Sequence, residues 1–148
     1  MVEAHRRISE KADLVIPNLT EGAMLAGIAY QDRTELDFCR EIATELLKTT
    51  KAVLLTGFSP APDTVGFYYS DGLTEFSHAG PKIPRSCHGT GDLFAAVTMG
   101  GLMRGLTVPD SACLAAEFIH RSIANTGKDA RFGVAFESEL SWLADSVR

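Results

Sequence analysis

The 148 residues are 45% hydrophobic and 22% charged, the composition of one ordinary globular domain with a single buried core. A formal net charge of -5 without any Lys/Arg-rich run argues against nucleic-acid binding, although local fields still let an acidic protein bind anions. No apolar run nears the ~18 residues of a membrane span, and residues 1–7 lack a signal-peptide hydrophobic stretch. Cys39, Cys87 and Cys113 are odd in number and widely spaced, which predicts a reducing, cytoplasmic setting with neither zinc site nor disulfide framework.

Residues 3–12 are charged and weakly amphipathic, which predicts a short helix. Asp13-Leu14-Val15-Ile16-Pro17 reads as a buried strand ended by Pro17, which cannot donate to a ladder. Asn18-Leu19-Thr20-Glu21 opens a brief helix that stops near Gly27. Thr34 is the expected N-cap of the next helix, whose rows Phe38, Ile42, Leu46 and Cys39, Ala43, Leu47 give one buried face. Residues 52–56 form a second buried strand ended by Gly57. Asp71-Gly72 between the runs 64–70 and 73–78 predicts a hairpin, followed by a loop over residues 79–88. Gly89-Thr90-Gly91-Asp92 opens a long apolar helix to about Arg104. Pro109 starts another that ends near Asn125, and residues 137–144 form a last short one. This order predicts an α/β fold with a mostly parallel sheet and an antiparallel hairpin at its edge, residues 1–148 forming one domain.

The chemistry concentrates at three places. Gly89 and Gly91 bracket Thr90 directly before a helix, so backbone N–H groups can converge on an anion without Cβ obstruction. Negative charge on a transferring phosphoryl group is what such a helix start stabilises. Asp92 stands in the first turn, where the dipole favours its ionised form and a carboxylate can accept a proton from an attacking hydroxyl. Read alone, the same four residues are equally a turn and a cap. Asn18-Leu19-Thr20-Glu21 follows a strand end, the ligand-binding side of open α/β sheets, where Glu21 can hold Mg²⁺ through water; a helix cap is the competing reading. Thr56-Gly57 ends the next strand and is either a nucleotide contact or a plain turn. Lys82, Arg85 and Arg104 are cations that could meet phosphates or simply be solvated. His88 and Cys87 border the glycine loop without a specified role.

On these motifs the chain resembles the ribokinase superfamily, and within it the pyridoxal (vitamin B6) kinases. Pro17-Asn18-Leu19-Thr20-Glu21 is similar to the superfamily's Asn-x-x-Glu motif, and Gly89-Thr90-Gly91-Asp92-Leu93-Phe94 resembles the pyridoxal kinase form of the anion-hole motif. The resemblance implies a ribokinase-like three-layer sandwich of which this chain corresponds to the C-terminal half. It implies MgATP as phosphoryl donor and Asp92 as the base on the 5′-hydroxymethyl of a B6 vitamer. It further implies that Gly89, Thr90 and Gly91 cradle the γ-phosphate and that Glu21 serves the metal. Asn18, Thr56 and Gly57 would contact nucleotide, with the helix bearing Phe118, Ile119 and Ser122 as the adenine wall. Sugar kinases more often show Gly-Ala-Gly-Asp, and many hydroxymethylpyrimidine kinases place Cys where Asp92 stands. That contrast favours pyridoxal. Hydroxymethylpyrimidine phosphorylation is the alternative, and a non-catalytic nucleotide-binding subunit the opposing class. Ile16 departs from the Thr that some pyridoxal kinases carry there.

A sheet cut before Asp13 would leave the 13–17 strand with an unpaired edge. The expectation is a homodimer, a partner chain supplying the N-terminal half, or a shortened form of a longer protein. Alone, the chain is expected to bind nucleotide weakly and to phosphorylate little.

Overall fold

In the computed structural model, which describes residues 2–29, 31–85, 87–127 and 133–147, the apolar run after Lys51 forms strand β1 (Val53–Phe58). It pairs antiparallel with β2 (Thr64–Ser70), which pairs antiparallel with β3 (Glu75–Pro81), in the order β1-β2-β3. The α/β class and the antiparallel β2–β3 hairpin are as the sequence pattern predicts, but the β1–β2 ladder is antiparallel too, so the described sheet is not mostly parallel. Five residues separate β1 from β2 and four separate β2 from β3, and connections this short can only reverse the chain. Parallel pairing is confined to the extended segment ahead of Asn18, through bridges Val15–Val53 and Asn18–Thr56. Val15 N–H donates to Ala52 O, while Leu54 and Thr56 N–H donate to Val15 O and Pro17 O. Pro17 has no N–H to return a bond, so the predicted strand shrinks to two bridges.

The hairpin turn also differs in detail. Asp71 Oδ1 accepts from the N–H of Leu73 (2.9 Å) and of Thr74 (2.7 Å), so the turn spans residues 71–74. The second arm therefore starts at Glu75 and runs on to Pro81, through residues expected to be loop.

The chain divides into two compact units, residues 1–82 and 83–148. In the first, α1 (Val2–Ser9) precedes α2 (Leu19–Ala26) and α3 (Leu36–Leu46). The predicted rows of α3 bury Phe38, Cys39, Ile42, Ala43 and Leu46 in a core shared with Val15, Val53 and Leu55. Full burial of each large side chain stabilises by about 1.5–3 kcal/mol. The Cys39 thiol is pushed up to about 12, by burial first and by nearby Glu35 second, so it behaves as a small hydrophobe. Thr34 does not cap α3. Its hydroxyl donates instead to Ser59 O at 3.2 Å, and Glu35 takes the N-cap position.

The hairpin is tied to α3 by Glu75, which accepts from the Arg40 guanidinium and from Tyr68 Oη at 2.9 Å. Arg40 first and Tyr68 second hold the Glu75 carboxyl down at about 2 from its usual 4.5. A depressed carboxylate stabilises the fold above its unfolded pKa and loses that contribution as pH falls through the folded one. We expect the stability of the first unit to drop between about pH 4.5 and 2. Urea unfolding at pH 6 and pH 3 should show Glu75→Gln with a smaller pH difference than wild type. An unchanged difference would assign the acid sensitivity elsewhere.

In the second unit α4 (Thr90–Met103) and α5 (Val108–Asn125) pack together, with ends close to those predicted. Thr107 caps α5, its hydroxyl accepting from Asp110 N–H at 3.2 Å, and Pro109 follows inside the first turn. The predicted last helix begins as a 3₁₀ turn (Glu137–Glu139) and continues as α6 (Leu140–Ser146). Buried Glu139 fastens it to α5, accepting from Arg121 Nε at 2.6 Å and from Asn125 Nδ2. Arg121 also lies over the Trp142 ring, 4.8 Å from its centroid. No described helix is long and apolar enough to cross a membrane.

Candidate functional site

In the first unit, the sequence Asn18-Leu19-Thr20-Glu21 folds as a capping box. Asn18 Oδ1 accepts from Glu21 N–H at 2.9 Å, and Glu21 Oε2 accepts from Asn18 N–H at 3.0 Å. The cap reading of these residues is thus realised, and it leaves Glu21 exposed with Oε1 outside the box. The bridge to Thr56 sets Asn18 beside the end of β1, where Gly57 (φ +88°) sits in a bulge between Thr56 and Phe58. Together these residues line an open cleft of about 230 Å³. The sequence reading identified three of its members, Asn18, Thr56 and Gly57. It missed Gln31, Asp32, Arg33 and Thr34, which close the cleft from the loop between α2 and α3. Arg33 is held there by Glu35 Oε1 at 2.5 Å and Glu41 Oε2 at 3.3 Å, with its guanidinium 5.0 Å from the Phe38 ring centroid. The polar run Gln31-Asp32-Arg33 is the one signal in the sequence, and a solvated loop reads the same way.

Among the described residues no three His, Cys, Asp or Glu side chains group as a metal cage. A single carboxylate with one uncommitted oxygen suits Mg²⁺ instead, since that ion keeps its waters and shares itself with substrate phosphates.

In the second unit, Gly89 (φ +84°) turns the chain into α4. The helical ladder begins with Leu93 N–H donating to Gly89 O at 3.0 Å, so the amides of Thr90, Gly91 and Asp92 lie ahead of it. A Cβ at Gly89 or at Gly91 would meet no described atom within 4 Å, so neither glycine is required by a close contact. Asp92, third residue of the helix, is exposed, and no described side chain pairs with its carboxylate. The start of α4 thus carries amides outside the helical ladder and an exposed carboxylate in its first turn.

The α5 candidates separate. Phe118 and Ser122 are fully buried, the Ser122 hydroxyl donating to Phe118 O at 2.7 Å, whereas Ile119 is half-buried. Two of the three candidate cations are already used. Arg85 caps the C-terminus of α5 through the carbonyls of Ile123, Thr126 and Gly127, and Arg104 donates to Val147 O at 3.2 Å. Lys82 is exposed, Cys87 is half-buried and His88 is exposed; the His88 carbonyl accepts from Val134 N–H.

The sequence pattern of the family described as phosphomethylpyrimidine kinase matches residues 1–134. This chain belongs to the phosphomethylpyrimidine kinase family. The hydroxymethylpyrimidine/phosphomethylpyrimidine kinase of Streptomyces coelicolor is 32% identical over 118 residues, 79% of this chain and 43% of that protein. Pyridoxal kinase from Lactobacillus plantarum superposes with a TM-score of 0.87 at 28% identity, over 98% of this chain and 54% of its own. Pyridoxal kinase from Staphylococcus aureus in complex with AMP-PCP gives 0.79 at 26% identity, over 92% and 50%. This family member thus spans about half the length of the relatives it matches, and its α/β fold is that of the pyridoxal kinases.

Proposed function

We propose that residues 1–148 are a single nucleotide-binding and catalytic portion of an ATP-dependent kinase acting on the hydroxymethyl group of a nitrogen heteroaromatic. The observation that carries this reading is the bare-amide start of α4 with the Asp92 carboxylate exposed in its first turn and paired with no described side chain. Amides of Thr90 and Gly91 receive the terminal phosphate, and the dipole of α4 offsets the charge that develops on it. Asp92 accepts the proton of the substrate hydroxyl as its oxygen attacks phosphorus, and ADP leaves. Asn18, Thr56 and Gly57 contact the nucleotide from their cleft, with Thr56 offering its hydroxyl. On α5, Ile119 presents the accessible part of an adenine wall that buried Phe118 and Ser122 support from behind. Glu21 would hold Mg²⁺ through water, and the ion would supply neutralisation of the phosphate oxygens.

The B6 vitamers are the preferred substrates. In support, the Gly89–Asp92 motif resembles the pyridoxal kinase form, and two structurally similar proteins are pyridoxal kinases. The relative from Streptomyces coelicolor favours hydroxymethylpyrimidine as the second reading. The protein acts in the cytoplasm, as a homodimer or with a chain that supplies an N-terminal half of the kinase fold. Steady-state assays with MgATP and pyridoxal, pyridoxine or hydroxymethylpyrimidine test this directly. The chain alone is expected to turn over little, and addition of an N-terminal half, such as that of the Lactobacillus plantarum enzyme, to raise pyridoxal phosphorylation. Turnover of hydroxymethylpyrimidine alone would overturn the vitamer assignment. ATP binding without turnover of any hydroxymethyl substrate in either setting would leave a nucleotide-binding subunit.

A further inference from the structure

The short segment 133–135 joins two parts of the second unit that the phosphate-binding reading needs to hold in register. At one end, Ala135 N–H donates to Thr126 Oγ1 at 3.0 Å, and that hydroxyl in turn donates to Ser122 O at 2.7 Å on the last turn of α5. Thr126 is buried, so this pair is shielded from water. At the other end, Val134 N–H donates to His88 O at 3.4 Å, and Val134 is itself buried. His88 O belongs to the peptide that leads into Gly89, the residue whose left-handed conformation aims the α4 amides. Immediately before the two anchors, Gly133 takes φ +96°, and a Cβ there would stand 3.0 Å from His88 O. Any side chain at 133 must either strain the backbone or push the His88 carbonyl aside.

We infer that residues 133–135 form a positioning strap that orients the Gly89 peptide, with Gly133 and Thr126 setting the direction in which the α4 amides receive the terminal phosphate. The inference rests on the kinase reading above and adds two residues to it. Neither touches nucleotide; both act through the His88 carbonyl. The strap also makes a physical link between the end of α5 and the phosphate turn.

The test is isothermal titration of the full chain with AMP-PCP and with ADP, which differ by the terminal phosphoryl group. Wild type is expected to prefer AMP-PCP. Gly133→Ala and Thr126→Val should each weaken AMP-PCP by about tenfold, roughly 1.4 kcal/mol, while ADP shifts less than about twofold. Thr126→Ser, which keeps the oxygen, should restore the preference. Thermal melts accompany each variant, and the Thr126 pair decides if Gly133→Ala fails to fold. Equal losses for both nucleotides would reduce the strap to a stability element and overturn the inference. So would variants that keep the wild-type preference. A wild type that itself fails to distinguish the two nucleotides would sink the kinase reading first and the strap with it.

Discussion

Replacing Asp92 by Ala is expected to lower turnover by two to four orders of magnitude while changing ATP affinity by no more than a few-fold. General-base catalysis contributes about 10²–10⁴ in rate, and the carboxylate is the one proton acceptor in the first turn of α4. The affinity should survive because the phosphate contacts proposed at α4 are backbone amides, which the substitution leaves in place. Removing a negative charge beside a bound phosphate even relieves repulsion, so a modest gain in ATP affinity agrees with the assignment. The measurement is kcat and KM for ATP in whichever preparation of the wild-type chain turns over, alone or complemented. Asp92 is exposed and makes no described side-chain contact, so its loss should leave the melting temperature nearly unchanged. Retained turnover would remove the base. Loss of turnover together with a large loss of ATP affinity would instead make Asp92 a binding residue.

How much of this was legible in the sequence depends on where the signal lies. The α4 and α5 boundaries follow from residues that act locally. Gly89 adopts a conformation that other residues resist, and Thr107 with Pro109 starts α5 by capping and by a preset φ. The buried face of α3 follows from periodicity, which is also local. Pairing direction is not. Residues 13–17 carry the apolar run of a parallel strand, yet only the neighbouring β1 and the missing Pro17 N–H decide that two bridges form. Thr34 has the right chemistry for a cap and spends it on Ser59, a residue 25 positions away. The cleft around Thr56 shows the same division. Asn18 and Thr56 could be found as strand ends, but Arg33 reaches the cleft from a loop whose path is set by tertiary packing, held by Glu35 at the start of α3 and Glu41 within it. Arg85 reads in the sequence as a solvated cation or a phosphate candidate, whereas its guanidinium meets carbonyls at the C-terminus of α5 that lie some 40 residues downstream. Gly133 had no motif around it at all. Its requirement appears only once the His88 carbonyl is seen beside it.

A side chain at Gly66 should be the most damaging small substitution in the first unit. In the β2–β3 ladder Gly66 lies opposite Ala79, and a Cβ there would fall 1.8 Å from His78 O and 2.6 Å from Ala79 Cα. Both obstacles are backbone, so no rotamer change can relieve the overlap, and β3 must move away from β2. Such overpacking costs typically 1–3 kcal/mol and sometimes more; we expect about 2–4 kcal/mol for Gly66→Ala. Urea unfolding measures it, with Gly80→Ala as the matched control. Gly80 sits one residue from Ala79 in the same strand, and a Cβ there meets nothing within 4 Å, so about 1 kcal/mol or less is expected. Similar costs at the two positions would show that the hairpin tolerates the shift and that the close approach is not enforced. The consequence for the site is specific. Gly66 pairs with Phe58 just past the bulge at Gly57, so the register that Gly66 permits also fixes where Thr56 and Gly57 stand in the cleft. A Gly66→Ala chain that still folds should therefore bind ATP more weakly than the Gly80→Ala chain, although neither residue touches the cleft.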